Sequence, residues 1–266
     1  MELDGKVFVV TGGGNGIGQE VVLELLRRGA LVAAVDLAEA GLAETERMAG
    51  SAAGRLSRHV TDVTDRAAVA ALPAAVESAH GHVDGLLNVA GVIQRFVPVD
   101  ELSIEEIERV MAVNFWGTLY MDRAFLPLLR GRPQSCLLNV SSMGGLVPVP
   151  GQGAYGASKG AVKLLTETLF AELRGTSVAV TVVFPGGVGT NITANSGVDV
   201  PPLRGGRTPK VTTPQDAGRQ IVDAVAAGKF RVLIGRDARM LDGMSRVSPT
   251  RAITTVADRM RKLLGV

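Results

Sequence analysis

A chain of 266 residues with a single cysteine and a formal net charge of +2 excludes a disulfide-built scaffold and offers no basic field of the kind that holds nucleic acid. Hydrophobic residues make up 46% and aromatics only 4%, so Ala, Val and Leu must fill the interior of what the length predicts to be one domain, 1–266. No apolar run approaches the roughly 18 residues of a membrane span, and the acidic start MELDG lacks the basic and apolar segments of a secretory signal, so a soluble, cytoplasmic protein with Cys136 as a buried thiol is expected, without membrane association.

Val-rich runs alternate with helical periodicity almost to the C-terminus, which predicts strands at 7–10, 31–35, 55–60, 85–89, 136–140, 178–184 and 231–234. Helices are predicted at 16–28, 39–49, 65–79, 103–129, 153–174 and 213–227, the fourth opened by the capping-box pair Ser103 and Glu106. This rhythm makes βαβ units. The fold class is therefore α/β: a Rossmann-type, doubly wound three-layer fold with a mostly parallel seven-stranded sheet and helices on both faces. Ligands of such sheets bind beyond the carboxyl ends of the strands, so strand-end residues carry most of the functional information. The irregular segment 185–213, rich in Gly and Pro, is expected to border a substrate or cofactor. Beyond it, 236–266 forms a C-terminal extension. Ile253, Val256, Met260 and Leu264 recur there at helical spacing, with Arg251, Arg259, Arg261 and Lys262 for a polar side, the pattern of a helix docked on its own protein or on a neighbour.

The first strand runs into TGGGNGIG, Thr11 to Gly18, and then directly into a helical pattern. Glycines at such a junction let the backbone approach a pyrophosphate, which the free N–H groups and dipole of the helix start attract. The second strand ends in Asp36, an acid placed to accept hydrogen bonds from an adenosine ribose 2′-hydroxyl and to repel a 2′-phosphate. Neither Asn15, before Gly16, nor Leu37, after Asp36, brings a basic side chain to neutralise an extra phosphate. The expected cofactor is NAD.

Tyr155 and Lys159, in AYGASKG, lie one turn apart on a strongly helical segment, and an ammonium beside a phenol lowers the phenol's pKa. Alone, the pair favours a plain helix carrying a packed tyrosine and a solvated lysine. Its companions favour chemistry. The strand LLNV ends in Ser141 and Ser142, on the sheet edge where a ligand sits, and Asn114 stands mid-helix, where its type is mildly unfavourable.

Taken in order, these positions resemble the short-chain dehydrogenase/reductase family at its Asn-Ser-Tyr-Lys tetrad, here Asn114, Ser142, Tyr155 and Lys159. TGGGNGIG, with Gly12, Asn15, Gly16, Ile17 and Gly18, is similar to its phosphate turn, Asp36 with Leu37 to its NAD-selecting position, and Asp62-Val63 to the pair beside its adenine ring. NVAG, with Asn88, Ala90 and Gly91, resembles the family's N-N-A-G strand end, Val89 being a departure from it. PGGVGT, with Pro185, Gly186, Val188 and Thr190, resembles its nicotinamide segment. The resemblance implies interconversion of a secondary alcohol and a ketone, with Ser142 and Tyr155 on the substrate oxygen and Tyr155 exchanging the proton. It further implies that Lys159 lowers the Tyr155 pKa and binds the nicotinamide ribose, that Asn114 helps to hold a water chain, and that the protein is a homotetramer or homodimer. Gln94, Gly144 and Leu146, with Phe96, Val147 and the 191–210 loop, are expected to border a mostly apolar substrate pocket.

Other functions share parts of this pattern. An NADPH-dependent 3-oxoacyl-carrier-protein reductase carries the same tetrad, but Asp36 without a basic neighbour weighs against it. A non-catalytic dinucleotide-sensing regulator or scaffold would keep the fold and has no need of the tetrad. No metal site is expected, because no carboxylate or thiol cluster joins His80 and His82, which read as a solvated turn. His59 reads as a strand or surface residue, Asp84 as a turn or cap residue, and Trp116 as a core or interface residue.

Overall fold

The computed structural model describes residues 1–198 and 211–264. Residues 199–210 of the predicted loop, the end of the C-terminal extension and the expected contact of Leu264 lie outside the described residues. The chain runs β1 (Val7–Thr11), α1 (Gly16–Arg27), β2 (Leu31–Asp36), α2 (Glu39–Ala49), β3 (Leu56–Val60), α3 (Arg66–His80), β4 (Gly85–Asn88), α4 (Ile104–Met111) and α5 (Thr118–Arg130). It continues through β5 (Ser135–Val140), α6 (Gly153–Glu172), β6 (Val178–Pro185), the short α7 (Ile192–Asn195), α8 (Pro214–Ala226), β7 (Arg231–Ile234), α9 (Arg236–Val247) and α10 (Pro249–Leu264).

The strands make one sheet in the order β3-β2-β1-β4-β5-β6-β7, and every pairing is parallel. Alternation along each strand sorts its side chains between two cores. Phe8 and Val10 of β1 face the core that α1 and α8 close with Val21, Val22, Leu25, Ile221 and Val222. Val7 and Val9 face the opposite core, closed by Val69 and Val76 of α3, Met121 and Phe125 of α5, and Leu169 of α6. Both faces being covered, the central strands read as continuous apolar runs. Among the described residues no helix is long and apolar enough to cross a membrane.

The predicted helix 103–129 is not one α-helix. A π-helical turn, Ala112–Gly117, separates α4 from α5 and contains Asn114. The widened turn lets Gly117 sit against Val63, where a Cβ would come within 2.8 Å of the valine side chain. Asp84 is more than a turn residue. It is fully buried, accepts the Val7 N–H at 3.1 Å and pairs with Arg132 at 2.8 Å and His82 at 3.0 Å. His80 is likewise not simply solvated, since Ser57 Oγ bridges its Nε2 at 2.7 Å and the His59 Nε2 at 2.8 Å. Trp116 is 46% exposed and stacks on Tyr120.

The C-terminal extension docks on its own protein, with a different stripe from the predicted one. Ala252, Val256 and Met260 of α10 join Leu241 and Met244 of α9 against Met143, Leu146, Val147 and Val149, whereas Ile253 is 44% exposed. The two C-terminal helices thus buttress the segment that follows Ser142.

Candidate active site

β1 and β4 lie side by side, but the chain builds outward from β1 to β3 and from β4 to β7, so their connections part. A cleft of about 540 Å³ opens beyond their carboxyl ends. One wall is the glycine turn. Gly12 and Gly16 hold φ of 71° and 56°, left-handed values that cost glycine little. A Cβ on Gly12 would stand 3.0 Å from the Ala90 backbone, and one on Gly18 would strike the Gly12 carbonyl. Asn15 caps α1 in an extended conformation without a side-chain capping bond, so the first N–H groups of α1, beside Gly16, Ile17 and Gly18 on the cleft wall, stay open to a ligand.

Asp36 stands further along the same cleft. Its Oδ2 accepts the Gly14 N–H at 2.9 Å and its Oδ1 the Ala38 N–H at 3.0 Å, which fixes the carboxylate at the end of β2. Leu37, Asp62, Val63, Ala90, Gly91 and Thr190 also line the cleft, as expected from the sequence. Gly14 of the glycine turn and Asn195 of the 191–210 loop line it too, as do Ala38, Gly41 and Thr61, which sequence reasoning passed over. Of these only Gly41 carried a signal, as a glycine inside a helix: a Cβ there would press within 2.8 Å of the Gly14 carbonyl.

Ser142 and Tyr155 meet at the end of β5. Ser142 Oγ accepts the Gly144 N–H at 3.0 Å. A Cβ on Gly144 would lie 3.5 Å from both Ser142 Oγ and the Tyr155 ring, so this glycine borders the pair as expected. Lys159 is 3% exposed and donates from Nζ to the Val140 carbonyl at 2.9 Å. A Cβ on Gly91 would lie 3.1 Å from that Nζ, which brings the amine to the cleft wall. Desolvation pushes the Tyr155 phenol above its ordinary value, with Ser142 opposing, and burial brings Lys159 down to about 8. The spacing of the two predicts a lowered tyrosine. In this structure the ammonium is tied to Val140, and desolvation outweighs it.

Several expected site residues turn out to be braces. Both amide hydrogens of Asn114 are engaged, with the Val92 carbonyl and Ser158 Oγ at 2.9 Å each, while its Oδ1 accepts the Val92 N–H at 2.9 Å. Asn114 therefore ties the segment after β4 to α6. Gln94 is fully buried and does not border a substrate pocket: its Oε1 accepts the Tyr155 N–H at 2.7 Å and its Nε2 donates to the Gly151 carbonyl at 3.3 Å. Leu146 and Val147 face the C-terminal helices. Asn88 turns away from the cleft and donates to Asp122 at 2.8 Å and to Asn139 at 2.9 Å. Of PGGVGT, Thr190 lines the cleft, whereas Pro185 ends β6 with Gly186 following it, and Val188 packs on the α1 and α8 core.

The chain as a whole is similar to known proteins. Residues 6–200 match the family model described as short chain dehydrogenase. SadH of Mycobacterium tuberculosis, named as an oxidoreductase, is 36% identical over 252 residues, 92% of this chain and 91% of SadH. A short chain dehydrogenase/reductase from Burkholderia phymatum, solved in complex with NAD, matches with a TM-score of 0.85 at 29% identity over 95% of this chain and 97% of that one. A short chain dehydrogenase from Burkholderia cenocepacia J2315, solved in complex with NADP, matches with a TM-score of 0.80 at 27% identity over 96% of this chain and 99% of that one. The protein belongs to the short chain dehydrogenase family of oxidoreductases.

Proposed function

We propose that this protein is an NAD-dependent oxidoreductase that interconverts a secondary alcohol and a ketone, with Tyr155 as acid and base. The observation that carries this reading is a glycine cleft that holds the Asp36 carboxylate and has Lys159 Nζ behind its Gly91 wall, with Ser142 and Tyr155 together around Gly144 at the end of β5. The cleft fits a dinucleotide, since its left-handed glycines and open helix N–H groups suit a pyrophosphate and Asp36 suits an unphosphorylated ribose. Gly12, Gly16 and Gly18 would hold the phosphates, Asp36 the adenosine ribose, Asp62 and Val63 the adenine side, and Gly91, Lys159 and Thr190 the nicotinamide side. When bound, the nicotinamide gives or takes the hydride at the substrate carbon.

The chain's own contribution is proton handling. Ser142 and Tyr155 hold the substrate oxygen, and the raised phenol keeps its proton at neutral pH, ready to pass to a ketone oxygen. Lys159, titrating at about 8, is mostly charged at pH 7 and opposes the negative charge left on the phenolate. In the oxidative direction the same phenolate takes the alcohol proton.

Calorimetry with NADH and NADPH, followed by an NAD-coupled screen of secondary alcohols and ketones, tests the reading. Tighter NADH binding and turnover of a panel member are expected. Preference for NADPH would refute the cofactor assignment, and tight NADH binding with no turnover across the panel would favour the dinucleotide sensor. Tyr155→Phe should bind NADH normally and lose nearly all turnover. We also propose a homo-oligomer, because Trp116, Leu164 and Phe170 leave large apolar side chains exposed; light scattering at a monomer mass would contradict it.

A further inference from the structure

We infer that Asp237, in the first turn of α9, is a positioning residue for the nicotinamide side of the cleft, which makes the C-terminal extension part of the cofactor site. The inference rests on the reading of the cleft as a dinucleotide site. The segment it acts on follows β6, and its sequence PGGVGT has glycines at 186, 187 and 189, a stretch that loses much conformational freedom when it is fixed. Its first glycine stays on the sheet, Gly186 N–H donating to the Ile234 carbonyl at 2.8 Å, and two braces hold the residues that follow. On one side, Gly189 N–H donates to the Thr212 carbonyl at 3.0 Å and Thr212 N–H to the Gly187 carbonyl at 2.9 Å. On the other, Gly187 N–H donates to Asp237 Oδ2 at 2.7 Å.

The surroundings are shaped for this carboxylate. A Cβ on Gly186 would run into it, and so would one on Gly235, whose φ of 97° also demands glycine. Glycines on two different segments thus clear the space in which one acid reaches the Gly187 amide. The position also suits a charge, because Asp237 sits in the first turn of α9, where the helix dipole favours an anion. Thr190, three residues past Gly187, lines the cleft next to Gly16. Loss of the Asp237 brace leaves the Gly187 N–H unheld and loosens the glycine stretch that positions Thr190, while the pyrophosphate turn and Asp36, on other elements, keep their own supports.

The test compares NADH with ADP-ribose, which fills the cleft but lacks the nicotinamide. Binding is measured by calorimetry for the wild type, Asp237→Ala and Asp237→Asn, the last of which keeps an acceptor oxygen. A hydrogen bond to a charged group predicts that Asp237→Ala weakens NADH about tenfold, with ADP-ribose unchanged within about twofold and Asp237→Asn near wild type. Equal weakening of both ligands in Asp237→Ala, or of neither, overturns the inference. Should the alanine variant not fold, amide exchange decides: the Gly187 amide is expected to be protected in the wild type and in Asp237→Asn, and rapid exchange of it in the wild type overturns the inference. A wild type that binds neither ligand refutes the dinucleotide reading itself.

Discussion

Asp122 lies 2% exposed on α5, accepting amide hydrogens from Asn88 at 2.8 Å and Asn139 at 3.0 Å, with no cation paired to it among the described residues. Burial raises its pKa from 3.8 to about 7, against the lowering effect of the two amides. The unfolded chain releases this proton near the ordinary value and the folded protein only near 7, so between those points the native state binds more protons. Its stabilising contribution is complete below about pH 4 and is lost as pH rises through about 7. At about 1.4 kcal/mol per pH unit, the loss between pH 5 and pH 8 is about 2.5 kcal/mol. Asp122→Asn removes the titration at nearly constant volume, and Asn88 Oδ1, buried without a partner, becomes an acceptor for the new amide if the Asn88 carboxamide turns over. Urea unfolding of both proteins at pH 5, 6, 7 and 8 isolates Asp122, since other titrating groups cancel in the difference. The wild type should lose about 2.5 kcal/mol relative to the variant over that range. A difference that stays flat would show that the carboxyl is already ionised at pH 5, and would refute the argument that desolvation dominates its two amide bonds.

Other perturbations address the cleft and the tyrosine. Asp36→Ala removes the acceptor for a ribose 2′-hydroxyl and the charge that repels a 2′-phosphate; calorimetry should show NADH weakened about tenfold or more and NADPH improved. Gly18→Ala drives a methyl into the Gly12 carbonyl, so NADH binding should fall at least about tenfold, with a destabilisation of about 1–3 kcal/mol in the same urea assay. Gln94→Met leaves the Tyr155 N–H unpaired inside the protein at a cost of about 1–3 kcal/mol; steady-state kinetics should show a reduced kcat with ADP-ribose binding unchanged.

The sheet was legible in the sequence because parallel strands covered on both faces appear as apolar runs, and all seven were located to within a residue or two. The π-turn in 103–129 was not, since apolar spacing hardly distinguishes a widened turn from a regular one, and the approach of Gly117 to Val63 beside it is a tertiary contact. The cleft residues were legible where chemistry forces a residue type: glycine at a left-handed φ, an acid at the end of β2. Residues whose work depends on where a side chain turns were not. Gln94 has the same composition and spacing whether it faces a substrate or caps the Tyr155 N–H, and Leu146 faces α9 and α10 only because the extension packs there.

Hydrogen bonds divide the proposed reacting groups from the side chains that hold them. Asn114 and Gln94 have their amide groups engaged within the protein, and Asn88 donates to two partners away from the cleft; each such side chain joins two elements near the strand ends. Ser142 and Tyr155, by contrast, stand together beside Gly144, a glycine that withholds a side chain, and on the proposed reading both keep capacity for a substrate oxygen. Lys159 is intermediate, bonded to the Val140 carbonyl with further donors on its ammonium and Gly91 beside it. The braces draw on β4, α5, α6 and α9, elements far apart in the chain. On the proposed reading, proton transfer at Tyr155 depends on packing over most of the molecule, and a substitution at a saturated brace should impair kcat without contacting substrate.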